Sequence, residues 1–189
     1  MKFEHKEYLD NKDIKQIANI HKYNYPKDHL TSQFDDNLLY NYYSLLSDFS
    51  SDIFIARFNG KVIGFAFLGN NYGSLMNYFL KSNKKEIFYF LLRNKKTMFK
   101  FLISKFNKER STFKSDSTIR LISIAVDCEY KKHKVGMHLI NYLNTNLKNE
   151  KIGLSVKKTN IKAINFYIKN CFQIESLIDD KIFMIKYYD

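Results

Sequence analysis

The chain has 189 residues, 45% of them hydrophobic and 26% charged, enough to bury one core of ordinary composition. A single proline and six glycines exclude a Pro/Gly-rich linker. Its 31 Lys and Arg against 19 Asp and Glu give a net charge of +12, but arginine occurs only at Arg57, Arg93, Arg110 and Arg120. Lysine travels here with Asn, Ile, Tyr and Phe, the residues of A/T-rich codons. We therefore discount a nucleic-acid partner and keep a basic face only as an aid to attracting an anionic ligand.

Residues 2–8 alternate weakly and predict a first strand. Asp10 or Asn11 can cap a helix running to about residue 23, with Ile14, Ile17, Ala18 and His21 on one face; Pro26 ends that region. A second helix is expected over 35–46, with Asp35 and Asp36 at the end where carboxylates suit the helix dipole. The period then changes. Residues 52–58 and 61–68 flank Asn59-Gly60, which predicts a hairpin with a type I′ turn, because that turn needs positive φ at both central residues. Gly64 in the second of these strands marks a bulge or a close approach of a neighbouring segment. Helical spacing recurs at Leu75, Tyr78 and Phe79, at Ile87, Phe88, Leu91 and Leu92, and at Met98, Phe101, Leu102 and Phe106, so 71–117 reads as helices separated by lysine-rich turns.

Further along, 119–126 is a strand and 135–147 a helix with Met137, Leu139, Ile140, Leu143 and Leu147 inward. Residues 152–156 form a strand, and 160–170 a helix carrying Ile161, Ala163, Ile164, Tyr167 and Ile168. Two more strands, 172–177 and 181–187, flank Asp179-Asp180. This order means an α/β or α+β layer fold. No apolar run approaches the ~20 residues that span a bilayer, and the charged first ten residues do not read as a signal peptide, so no membrane span and a cytoplasmic location are expected. Cys128 and Cys171 are too few for a disulfide scaffold and lack companions at ligand spacing, so free thiols and no metal are expected.

The chemistry concentrates in the last third. After the strand Ile124-Ala125-Val126 come Asp127-Cys128-Glu129-Tyr130, then Lys131-Lys132-His133-Lys134 and a helix beginning near Val135-Gly136-Met137. A helix N-terminus carries unpaired N–H groups and partial positive charge, so this turn suits a phosphate or pyrophosphate, with Lys131, Lys132 and Lys134 adding charge. The segment resembles the acetyl-CoA-binding motif of the GNAT superfamily, in which such a strand leads through Tyr into Arg/Gln-x-x-Gly-x-Gly/Ala and a helix. Lys131 stands where that family has Arg or Gln, and Lys134 and Gly136 stand at the two small positions. A second stretch, Asn160-Ile161-Lys162-Ala163-Ile164-Asn165-Phe166-Tyr167 through Cys171-Phe172, is similar to the family's next motif, Asn-x-x-Ala-x-x-Phe-Tyr-x-x-x-Gly-Phe, with Cys171 in place of the glycine.

The resemblance implies a GNAT-like mixed, mostly antiparallel sheet flanked by helices. Residues 1–189 then form one domain, with 71–117 a helical insertion before the fourth strand. It implies acetyl-CoA as co-substrate: the backbone of Ile124, Ala125 and Val126 along the pantetheine arm, amides of Lys132, His133, Lys134, Val135, Gly136 and Met137 on the pyrophosphate, with Lys131 facing phosphate. Asn160 then contacts the pantetheine region or caps its helix, and Tyr167 donates a proton to the departing thiolate. Direct transfer to a primary amine of a small molecule, amino sugar or peptide is the implied reaction. Acetylation of a protein lysine or aminoacyl-tRNA, and a non-catalytic acyl-CoA-binding module, are the alternatives; a homodimer is left open. The general base is not identified; Asp127, Glu129, His29 and His133 are the titratable residues considered. Cys128 has no paired histidine in the sequence to make it an acyl carrier.

Overall fold

A computed structural model of the chain describes residues 1–26, 29–94 and 113–187. In chain order its elements are β1 (Lys2–Lys6), α1 (Asn11–Asn24), α2 (Asp36–Phe49), β2 (Asp52–Phe58), β3 (Lys61–Leu68), α3 (Tyr72–Ser82), α4 (Lys84–Arg93), β4 (Ile119–Val126), α5 (Val135–Asn146), β5 (Lys151–Lys157), α6 (Ile161–Lys169), β6 (Gln173–Ile178) and β7 (Lys181–Tyr187). Short 3-10 turns, Leu30–Gln33 and Cys128–His133, precede α2 and α5. The helical spacing at residues 98–106 lies outside the described residues.

Local chemistry explains the boundaries. The Asp10 carboxylate accepts the Asp13 N–H (2.7 Å) and opens α1; Asp35 does the same for Leu38 (2.8 Å) and opens α2. Tyr25, extended ahead of Pro26, closes α1. Asn59 and Gly60 both have positive φ, 48° and 77°, as the type I′ turn between β2 and β3 demands.

The strands form one sheet in the order β1-β2-β3-β4-β5-β7-β6. Only β4 and β5 run parallel; the other neighbours are antiparallel. Alternation along β3 divides the core. Phe65 and Phe67 pack with Ile14, Ile17, Leu38, Tyr43, Leu75 and Phe79 on the face covered by α1 to α4. Ala66 and Leu68 face Val135, Leu139, Ile140 and Leu143 of α5. Arg57 ties the first layer to the sheet, donating to Glu4 of β1 (3.2 Å) and to the buried Asp13 of α1 (2.5 Å).

Gly64 satisfies both readings made of it. Ala56 pairs with Gly64 and Arg57 with Val62, so Ile63 is an extra residue beside it. A Cβ on Gly64 would lie 3.1 Å from Leu139, 3.2 Å from Val135 and 3.3 Å from the Ala125 carbonyl oxygen, so α5 rests directly on the strand here. Three apolar positions differ from expectation. Met137 is only half-buried, and Ile161 and Ile168 are 59% and 50% exposed, because the packed face of α6 is centred on Ile164.

Gly64→Val is expected to lower the free energy of unfolding by about 1–3 kcal/mol through overpacking, reducing the urea midpoint at an unchanged slope.

Candidate active site

Between β4 and β5 only Ile119–Ile152 and Arg120–Gly153 are paired. Beyond Arg120 the two strands part, although β4 stays on β3 to Val126 and β5 stays on β7 to Lys157. The parting coincides with a bulge in β4. Phe67 pairs with Ser123 and Leu68 with Leu121, which leaves Ile122 as the extra residue. The bulge resets the faces: Ile119 and Leu121, then Ile124 and Val126, point toward α5, while Ser123 and Ala125 point toward α1 and α2. Uninterrupted alternation would have put Ser123 on the face of Leu121.

The direction of the β4 backbone follows. Asp127 N–H donates to Ile63 on β3 (2.9 Å), and the Ala125 carbonyl lies toward Gly64 of β3. By alternation, Ile124 and Val126 direct their amides and carbonyls into the opening. An extended ligand arm can lie along that edge as an added strand does.

From β4 the chain enters the 3-10 turn, which Asp127 caps by accepting the Glu129 N–H (3.2 Å). Lys134 then adopts the left-handed conformation (φ 54°, ψ 24°) and starts α5. A left-handed residue with a Cβ costs roughly 1–2 kcal/mol, so the family-glycine position does need positive φ and lysine supplies it. The first helical bond runs from His138 N–H to the Lys134 carbonyl (3.1 Å), so the amides of Val135, Gly136 and Met137 precede the ladder. They face the end of the helix where an anion is favoured. Lys131, Lys132, His133 and Lys134 are exposed around this terminus, and Val135 is buried beneath it. A Cβ on Gly136 would lie 3.2 Å from the Phe166 ring and 3.6 Å from Val126, so glycine allows the start of α5 to seat against α6 and β4 together.

The other wall is α6. The Asn160 side chain accepts the Ala163 N–H (3.2 Å), so the N-cap reading of Asn160 holds. At the far end Cys171 is left-handed (φ 65°). Its N–H reaches the Ile168 carbonyl (3.0 Å) and the Phe172 N–H reaches the Tyr167 carbonyl (3.0 Å), the pair of bonds that defines a Schellman cap. The Phe172 and Tyr167 rings meet at 5.4 Å, the apolar contact that accompanies such a cap. The helix exit thus fixes the ring of Tyr167. Burial, with a smaller contribution from nearby Tyr25, pushes its phenol well above the usual range, so it stays protonated as a donor.

A group that sequence reasoning missed lies on the α1/α2 side of the opening. The Tyr25 hydroxyl lies 2.7 Å from Ser123 Oγ and 3.4 Å from the Ile124 carbonyl oxygen. Ser123 Oγ lies 3.2 Å from the Tyr43 hydroxyl, which lies 2.7 Å from His21 Nδ1. His21 Nε2 meets Thr31 Oγ1 at 2.9 Å, and Thr31 Oγ1 meets His29 Nδ1 at 2.8 Å. The His21 and Tyr25 rings stack at 3.7 Å, Tyr25 lying just past the last residue of α1. Burial, and then nearby His29, pushes His21 down from 6.5 to about 3, so it is neutral at pH 7. The available signal was His21 on the buried face of α1, followed by an aromatic residue, Tyr25, just past the end of that helix.

Of the base candidates considered, His29 belongs to this chain of groups. Asp127 is opposed by burial but held below the usual carboxylate range by Lys61 (3.0 Å) and by the Glu129 amide. Glu129 and His133 are exposed, as are the free thiols of Cys128 and Cys171. The structure therefore gathers the backbone of Ile124 and Val126, the start of α5 and Tyr167 around one opening, and leaves Lys131, Lys132 and His133 at its rim.

The acetyltransferase (GNAT) family model matches residues 14–171. The fold is similar to those of PaiA N-acetyltransferase from Thermoplasma acidophilum in complex with coenzyme A (16% identity, 100% of each chain, TM-score 0.58) and ribosomal-protein-S18-alanine N-acetyltransferase from Escherichia coli (15% identity, 99% of this chain and 94% of that one, TM-score 0.56). An N-acetyltransferase from Staphylococcus aureus Mu50 is similar over 100% of each chain at 13% identity and a TM-score of 0.55. None of the curated proteins matches the sequence. The chain belongs to the GNAT acetyltransferase family, whose co-substrate is acetyl-CoA. Among the described residues no helix is long and apolar enough to cross a membrane.

Lys134→Gly and Cys171→Gly are each expected to raise the free energy of unfolding by about 1 kcal/mol in urea titrations, since glycine relieves a left-handed Cβ. Histidine 21 gives a pH dependence. Its folded pKa is below its unfolded one, so the unfolded chain binds the extra proton between them. Its contribution is complete above about 6.5 and is lost as pH falls toward 3, by up to about 1.4 kcal/mol per pH unit. His21→Gln should flatten that acid limb in denaturation measured from pH 7 to pH 4.

Proposed function

We propose that the chain moves an acetyl group from acetyl-CoA to a primary amine of a small molecule, amino sugar or peptide, by direct attack with both substrates bound. The observation that carries this reading is the opening between β4 and β5, with outward-facing strand backbone on one wall, a helix terminus at its end and a protonated tyrosine on the other wall.

In this reading the Ile124, Ala125 and Val126 backbone lies along the pantetheine arm, with the Val126 N–H available to the thioester oxygen. The amides of residues 132–137 hold the pyrophosphate, supported by the Lys131, Lys132 and Lys134 side chains. Asn160 fixes the start of α6 and contacts the pantetheine region. Tyr167 donates a hydrogen bond to the thiolate as the C–S bond breaks and passes its proton as the amine nitrogen supplies one. Residues 1–189 act as one domain, with 71–117 an insertion before the fourth strand, and the protein works in the cytoplasm.

Calorimetric titration with acetyl-CoA tests the reading, followed by CoA-thiol release over a panel of amines, amino sugars and peptides. The wild type should bind saturably. Gly136→Pro should lose binding, because the start of α5 can no longer seat against Phe166. Tyr167→Phe should retain binding and lose about 10- to 100-fold in kcat. No binding by the wild type would sink the reading; full activity in Tyr167→Phe would remove that residue's role.

A further inference from the structure

Transfer in one step needs acetyl-CoA and the amine at the same carbonyl carbon. In the proposed reading acetyl-CoA is held by the start of α5 and by Tyr167 of α6, which pack on one face of the sheet. The amine therefore reaches the opening from the opposite face. Arg120 stands there. It is the last residue of β4 that pairs with β5, and alternation turns it away from Ile119 and Leu121, which face α5. We propose that Arg120 binds a carboxylate of the acceptor, so that the substrate is an amine that also carries a carboxylate, such as a short peptide or an ω-amino acid. This proposal rests on the acetyl-transfer reading and names the acceptor class of that same site.

The direction of the side chain is given by its neighbour. The guanidinium lies over the Phe183 ring, 5.6 Å from its centroid. Phe183 pairs with Ser155, whereas Arg120 pairs with Gly153, two residues earlier on β5. Because β4 and β5 run parallel, the guanidinium leans across β5 in the direction in which the two strands part. Behind it the face is covered. A Cβ on Gly153 would lie 2.5 Å from the Ser117 side chain, so only glycine lets that serine sit on the strand. Ahead of it the face is open. Ser155, the next residue of β5 on the same side, is exposed, and its hydroxyl makes no hydrogen bond to the described residues.

The charge of Arg120 is left for a ligand. Arg57 shows how this chain treats an arginine that serves the fold: it is half-buried and bonded to Glu4 and Asp13, and these partners raise its pKa. Arg120 is half-buried too, yet among the described residues none accepts a hydrogen bond or forms an ion pair with its guanidinium. Burial holds it below its ordinary pKa, and Glu175 offsets this only in part. Both Glu175 oxygens are already taken, by Ser115 Oγ and by the Asp116 N–H, at 2.7 Å each. A guanidinium fork matches a carboxylate with two parallel bonds, which a lysine does not. Glu175 also favours a singly charged anion over a phosphate dianion, since it opposes each added negative charge. Spacing limits the acceptor further. Ile124 lies four residues beyond Arg120, roughly 10–13 Å along a strand at about 3.3 Å per residue, and the lean of the guanidinium shortens that span. This favours a di- or tripeptide, or an ω-amino acid, over a free α-amino acid.

The wild type is tested first in its dead-end complex with CoA, where binding is seen without transfer. The chain has four arginines, so 15N labelling at arginine gives four Nε–H signals, and the one lost in Arg120→Lys is that of Arg120. Glycylglycine, triglycine and γ-aminobutyrate are titrated, each beside its carboxamide. At least one carboxylate should shift the Arg120 signal saturably, and its amide should not. No shift with any of the three, or an equal shift with the amides, overturns the proposal. In turnover the responding carboxylate should be preferred over its amide by about 10- to 100-fold in kcat/KM. Arg120→Gln should abolish that preference at unchanged KM for acetyl-CoA, and Arg120→Lys should keep part of it. A preference that survives in Arg120→Gln, or a shift without turnover of that acceptor, overturns the role in specificity. Failure of the wild type to bind CoA in calorimetry overturns the acetyl-transfer reading instead, and is read independently of the arginine spectrum.

Discussion

One extra residue in one strand organises this molecule. Ile122 interrupts β4 at the point where the parallel pairing with β5 ends. A strand in full register would hydrogen-bond on both edges and leave no backbone for a ligand. Because β4 keeps β3 and gives up β5, one of its edges is free while the strand stays anchored. The same bulge turns Ser123 to the face of α1 and α2, where the hydroxyls of Tyr25 and Tyr43 meet it. The opening and the polar line beside it thus have a common origin.

The opening is held by backbone conformations that glycine normally supplies. Lys134 turns the chain into α5, and Cys171 turns it out of α6, both with positive φ. Each costs stability, and each is fixed by its surroundings: Lys134 by the buried Val135 beside it, Cys171 by the two bonds of the helix cap. Gly136, by contrast, is required for space. Its missing side chain lets Phe166 close against the start of α5, so the anion-binding terminus and the helix bearing Tyr167 are packed as one unit.

Much of this could be read from the residues alone, where short-range chemistry decides. Asp10 and Asp35 are side-chain caps, Asn59-Gly60 is a turn that few other pairs form, and the apolar stripe of α5 has helical spacing. The phosphate turn and the helix with Tyr167 were legible through motif spacing. The bulge was not. Residues 119–126 read as one unbroken strand, and a register shift is decided by the neighbouring strand rather than by local composition. The polar line was hidden for a similar reason: His21, Thr31, Tyr43 and Ser123 are far apart in the chain and meet only when two helices pack on β4. Ile161 and Ile168 show the converse, apolar residues at helical spacing on a face that no element among the described residues covers.

Amide hydrogen exchange, with and without acetyl-CoA, addresses the central claim that the parted strands form the binding site. The account predicts slowed exchange at Val126, at Val135, Gly136 and Met137, and at the Tyr167 end of α6. Binding that leaves these amides unchanged and protects the β1 or β6 edge instead would contradict it.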